Sequence, residues 1–284
     1  MAWVTIDFSA ELGTIRRQGK DSEADYSIGV PLRPDTPFAP EDIDRVCEVL
    51  RPKDIDRVIC HGSGFQVEAA KAICLGLRYS GPISDIYKQK VEPYSACTLV
   101  VYPQGWLRGE ELFTTCLFHI PSKGFVKRIQ LPKLRLGVGP YTPEGITDPQ
   151  ARFIVWARLI ELSVSPAVSK GIRAMARALA DVIENDSDPS LSSDAFTLFR
   201  LADDTRDDGL KVTYAAGIAV AKSKGTRWDS AYLFALTHLF KDDAERISEA
   251  ASKMGVEPLA LDAETEKVVE EKIAGLGVSY TLSR

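Results

Sequence analysis

Apolar side chains recur in two rhythms, one in each half of the chain. From Trp3 to Phe8 apolar and polar positions alternate, the period of a strand. Ile43, Val46, Cys47 and Leu50 then repeat at helical spacing, with Pro40 placed to occupy a first helical turn. Ile55-Asp56-Arg57-Val58-Ile59-Cys60 predicts a strand, and His61-Gly62-Ser63-Gly64 a tight turn. Val67, Ala70, Cys74 and Leu77 predict a second helix, and residues 98–102 another strand. This order of elements predicts a small α/β unit. Two further apolar runs, 112–120 and 126–131, flank Pro121-Ser122-Lys123-Gly124 and read as a hairpin.

The second half reads as successive helices. Asp148-Pro149 opens one whose stripe is Phe153, Trp156, Ile160 and Val164. Ser165-Pro166 opens the next, with Val168, Ile172, Met175, Leu179, Val182 and Ile183 on one face and Lys170, Arg173 and Arg177 opposite. Phe196, Leu198, Phe199 and Leu201 mark a short helix. Residues 210–221 read as helix, with strand as the alternative. Trp228, Tyr232, Leu236, Leu239 and Phe240 mark a helix capped near Thr226; Ile247 and Met254 mark another. Val268, Val269, Ile273 and Leu276 mark the last, and residues 278–282 alternate like a terminal strand or extended arm. The breaker-dense stretch 137–145 separates a mixed α/β half, 1–142, from a helical half, 143–284. No long polar linker joins them. The expected fold class is α+β, a small mixed α/β N-terminal half packed on a C-terminal helical bundle.

Composition narrows this picture without resolving it. The chain has 284 residues, 40 acids against 35 bases, and a formal charge of −5. Such a balance gives no global attraction to nucleic acid or anionic lipid, so contact with either must rest on a local patch. No apolar run approaches the roughly 18 residues of a membrane span, and the first residues lack the pattern of a secretory leader. Five cysteines without C-x-x-C spacing (Cys47, Cys60, Cys74, Cys97 and Cys116) read as buried free thiols in a reducing, cytoplasmic compartment. Cys60-His61 and Cys116 with His119 do not have the spacing of a structural zinc site. No metal and no cofactor are expected.

Three stretches could carry chemistry. Gly62, Ser63 and Gly64 sit where a strand would hand backbone N–H groups to a phosphate at a helix start, although Val67 stands where a dinucleotide fingerprint wants its third glycine. Asp203-Asp204-Thr205-Arg206-Asp207-Asp208 has a D-D-x-x-D spacing but no second acidic motif, and reads as an exposed acidic turn. Between Glu111 and Glu144 there is no acid, while Lys123, Lys127, Arg128, Lys133 and Arg135 all fall there. Joined to Lys170, Arg173 and Arg177, these could form one cationic surface for a phosphate backbone.

The leading expectation is therefore a non-enzymatic, self-associating structural protein that binds RNA or DNA through that basic face. A coat, nucleocapsid-like or effector-complex subunit would fit, as part of a homo-oligomer or multi-subunit assembly. An alternative places a phosphorylated small molecule at the His61–Gly64 turn of an enzyme or sensor, with Lys71 or Arg78 as helper cations. A second alternative is a protein-binding adaptor using Trp228 and Tyr232.

Overall fold

β1 (Ala2–Asp7) forms where the sequence alternates, burying Val4 and Ile6 and leaving their neighbours half-covered. β4 (Ile55–Gly62) has a different pattern: Val58, Ile59 and Cys60 are buried in succession, as expected of a strand covered on both faces. Both belong to a six-stranded sheet in a computed structural model. The structure describes residues 2–92, 95–108, 114–120, 125–131, 134–141, 149–202, 212–222, 227–277 and 279–282. The sheet order is β2 (Ile15–Arg17), β3 (Tyr26–Gly29), β1, β4, β5 (Thr98–Pro103), β8 (Arg135–Val138). β1 is parallel to β3 and β4, β4 to β5, and β5 to β8; only the edge strand β2 is antiparallel. β6 (Thr115–Ile120) and β7 (Phe125–Gln130) form a separate pair.

Three helices accompany the sheet: α1 (Pro40–Leu50), α2 (Phe65–Gly76) and the short α3 (Ile83–Tyr87). α1 buries Ile43, Val46, Cys47 and Leu50, the stripe read from the sequence. α2 is buried on every side, Glu68 and Lys71 included. A helix apolar nearly all round is expected to be central, and α2 packs against β4, β5 and α1.

The chain divides into two units. One comprises 1–104, 110–119 and 127–145, and the other 105–109, 120–126 and 146–284. The second unit is helical: α4 (Pro149–Val164), α5 (Lys170–Asn185), α6 (Leu191–Ala202), α7 (Val212–Lys222), α8 (Trp228–Leu239), α9 (Ala244–Lys253) and α10 (Ala263–Ala274). α8 is its central helix, buried continuously from Trp228 to Leu236 and packed against α4, α7, α9 and α10. No described helix is long and apolar enough to cross a membrane.

The α+β class is observed, with differences in detail. β2, β3, α3 and β8 had no clear sequence signal. Residues 212–222 are helical, not extended. α5 starts at Lys170 behind Ser169, whose Oγ accepts from Ile172 N at 3.4 Å, four residues beyond the Ser165-Pro166 signal. Its buried face is Ala176, Ala180 and Ile183, while Met175 is 57% and Val182 47% exposed. Among the described residues at the end of the chain, 279–282 form no strand. Tyr280 N donates to Leu239 O at 2.7 Å, Leu282 N donates to Asp243 Oδ2 at 2.9 Å, and the Tyr280 ring lies against Phe240.

Candidate functional site

The α/β unit has one place where consecutive parallel strands part company. From β1 the chain goes to β3 on one side, whereas from β4 it goes to β5 on the other. In open parallel sheets, ligands bind beyond the carboxyl ends of the strands at such a reversal. Here those ends are Asp7 on β1 and His61-Gly62 on β4, and the turn into α2 follows at once.

The turn is built by backbone geometry and by a loop from elsewhere in the unit. Gly64 takes φ 55° and ψ −131°, which a residue with a Cβ strongly disfavours. Ser63 N donates to Gln66 Oε1 at 3.3 Å, and the same amide's Nε2 donates to Leu32 O at 2.9 Å. Phe65 N donates to Pro34 O at 3.0 Å. The segment after β3 is thereby tied across the start of α2. A Cβ on Gly62 would stand 2.5 Å from Gln66 Oε1 and disturb the amide that fixes Ser63. Within this segment Arg33 grips buried Asp35 through Nε and Nη2, at 3.2 and 3.1 Å, while its own side chain is largely exposed.

Beside the turn, His61 stacks flat on Tyr102, with ring centroids 4.7 Å apart, and the Tyr102 hydroxyl donates to Glu23 Oε2 at 3.1 Å. Partial burial pushes the His61 imidazole below its ordinary value, against the pull of Glu23, so the ring is neutral at neutral pH. At the end of β1, hydrogen bonds from the Ser9 hydroxyl and backbone N–H hold the Asp7 carboxyl below the usual carboxylate range. The rim thus carries a fixed carboxylate, an exposed guanidinium and a neutral imidazole around a glycine turn. What such a rim offers a phosphate-bearing ligand is the positive end of α2 and the Arg33 cation, because Ser63 N and Phe65 N already donate within the protein.

The structure brings together Gly62, Ser63 and Gly64 as the sequence suggested, and adds Asp7, Arg33, Pro34 and Gln66. None of these four was singled out from the sequence as a site residue. The helper cations are not available. The Lys71 ammonium is buried 2.8 Å from Glu68 Oε1, and Arg78 Nη2 donates to Asp56 at 2.7 Å. All five cysteines are buried and free, and Cys60 and Cys116 donate to the Gln66 and Glu68 carbonyls. Among the described residues no group of three or more histidine, cysteine, aspartate or glutamate side chains could hold a metal ion.

Of the eight basic residues expected to form one surface, the described side chains include four: Arg135, Lys170, Arg173 and Arg177. Lys123 and Lys133 lie outside the described residues, as do the side chains of Lys127 and Arg128 on β7, and the acidic run 203–208 does too. Arg135 is exposed on β8 of the α/β unit, whereas Lys170, Arg173 and Arg177 belong to α5 of the helical unit. On α5 one of the three cations, Arg177, has an acidic partner. Arg177 Nε lies 3.6 Å from Asp181, which also receives Arg246 Nη2 from α9 at 3.2 Å, and Lys253 Nζ lies 2.7 Å from Glu184. Trp228 and Tyr232, the proposed adaptor face, are buried.

No protein-family model matches the sequence, and no curated protein matches it. Solved structures do. An iron-containing alcohol dehydrogenase aligns at TM-score 0.71 and 15% identity, over 99% of this chain and 87% of that one. An iron-containing alcohol dehydrogenase from Thermotoga maritima aligns at TM-score 0.66 and 15% identity, over 96% and 84%. A sulfoacetaldehyde reductase from Bifidobacterium kashiwanohense, solved in complex with NAD+, aligns at TM-score 0.67 and 14% identity, over 96% and 83%. These likenesses correct the leading functional expectation. The solved structures that share the fold are named as dehydrogenases and a reductase, not as nucleic-acid-binding coat or scaffold subunits, and the α5 cations offered for nucleic acid include an arginine already held by a carboxylate. The chain has the α/β-plus-helical fold of the iron-containing alcohol dehydrogenases.

Proposed function

We propose that this chain is a nucleotide-binding protein of dehydrogenase type, whose α/β unit takes the phosphates of a nicotinamide dinucleotide at the 61–65 turn. One observation carries the reading: the positive-φ glycine turn into α2 stands at the strand-order reversal between β1 and β4. The residues fit such a group. Gly62 and Gly64 bring backbone without a side chain to the turn, Arg33 is largely exposed in the tethered loop while paired with Asp35, and the α2 N-terminus lies at the same end of the sheet. The NAD+ complex and an NADH-dependent butanol dehydrogenase among the similar structures support the choice of ligand. A bound nicotinamide would supply hydride exchange; this chain's residues bind and orient it. The buried thiols support a reducing, cytoplasmic setting.

Iron does not fit in the same way, since the described donors include no metal-holding group. No step is assigned to it.

Calorimetric titration with NADH, NADPH and ATP tests the proposal. A nicotinamide dinucleotide should bind, and Gly64→Val should weaken it at least about tenfold, or about 1.4 kcal/mol. Gly171→Ala on α5 should leave affinity unchanged. Failure of the unaltered chain to bind either dinucleotide at millimolar concentration overturns the reading.

A further inference from the structure

Proteins that share this fold are named for iron, yet the helical unit has its potential ligands engaged elsewhere. That unit contains one histidine and no cysteine. The histidine, His238, is held at both nitrogens: Nδ1 lies 2.7 Å from Phe234 O and Nε2 lies 3.0 Å from Glu270 Oε1. Two acids of the unit are deeply buried among the described residues, Glu161 and Asp229.

Each carboxylate already has its donors. Glu161 Oε1 accepts from Val212 N at 3.0 Å, and Oε2 accepts from the Tyr232 hydroxyl at 3.0 Å, which also lies 3.2 Å from Thr213 Oγ1. Burial and the Glu161 charge drive Tyr232 well above the ordinary tyrosine value, so it remains a proton donor to that carboxylate. The Arg158 guanidinium acts on the same phenol with the opposite sign, and is anchored by donating to Arg108 O. Asp229 is gripped by Arg227 through Nε and Nη2, each at 3.1 Å. Iron and zinc favour imidazole and thiolate, which this unit lacks beyond His238. The acidic run 203–208 offers only oxygen donors, which suit magnesium or calcium.

We infer that the helical unit has no resident transition metal. Placing a divalent ion at Glu161 would require breaking three hydrogen bonds to a buried carboxylate and its phenol. The inference does not depend on nucleotide binding, because its readouts need no ligand.

The test uses the full chain, incubated anaerobically with Fe2+ or with Zn2+, desalted, and assayed for metal by mass spectrometry and for thermal unfolding with and without chelator. Less than about one metal per ten chains should remain, with no rise in melting temperature, since an ion bound tightly to the native state would raise it. Stoichiometric retention of either ion overturns the inference, wherever on the chain it is held.

Discussion

Lys71 makes no contact with solvent, and its ammonium rests on Glu68, whose other oxygen takes Leu117 N at 2.6 Å. Removing one member of a buried pair leaves the other uncompensated, at a cost of about 3–5 kcal/mol. Lys71→Met should lose roughly that in a urea titration, and Lys71→Met with Glu68→Gln should lose distinctly less. The cysteines make a second point at this scale. Burial pushes the Cys47 thiol up to about 12 and Cys97 to about 11, with Cys74 and Cys116 also raised by burial. Thiolate is the reactive form, so a disulfide reagent at neutral pH should label the native protein slowly and all five cysteines in denaturant. Rapid labelling of the native chain would contradict the burial. Lys71 also shows a limit of the sequence. Its i, i+3 partner was visible, but its burial depends on β6 and on strands far along the chain.

At the level of elements, the sequence was clearest where spacing was regular. The stripe of α1 and the strand–turn–helix from Ile55 to Gly76 were legible, and these frame the candidate site. β2 and β3 were not, because they are three and four residues long and partly polar. In α5 the large side chains suggested one face, but packing selected the small ones: Ala176 and Ala180 allow close approach of a neighbour where Met175 would not. Gly29 ends β3 beneath the Glu11 carbonyl, which a Cβ would strike. Since that obstacle is backbone, Gly29→Ala should cost about 1–3 kcal/mol in chemical denaturation. Asp262 caps α10 by accepting from Thr265 N at 2.9 Å, and that bond, with the Thr265 hydroxyl, lowers its carboxyl below the ordinary value. A depressed carboxyl contributes stability above its unfolded value, and the contribution disappears as pH falls through the lower folded one. Protection of the 263–266 amides, relative to their intrinsic exchange at each pH, should therefore fall below about pH 4 and hold at neutral pH.

For the whole molecule, the division into a mixed α/β part and a helical part was legible from the change in apolar rhythm. The strand order was not, because adjacency of β1 to both β3 and β4 is set by contacts that no local pattern encodes. The site depends on that adjacency, which is why only its glycines could be named beforehand. The excess of cations between 111 and 144 misled about function, because charge read along a line does not reveal the fold that carries it, and that fold is shared with dehydrogenases. If the dinucleotide reading holds, saturating ligand should slow hydrogen exchange in segments 30–38 and 61–68 and leave α5 unchanged. Ligand at a hundred times its dissociation constant stabilises the native state by about 2.7 kcal/mol. Protection on α5 instead would place the ligand elsewhere.

Because Pro34 and Leu32 hold the backbone of Phe65 and the amide of Gln66, the shape of the cradle is partly dictated some thirty positions upstream. Variation in that short stretch could alter which adenylate or nicotinamide form is accepted while every glycine stays put. Descendants of this chain could therefore drift in preference with the turn itself unaltered.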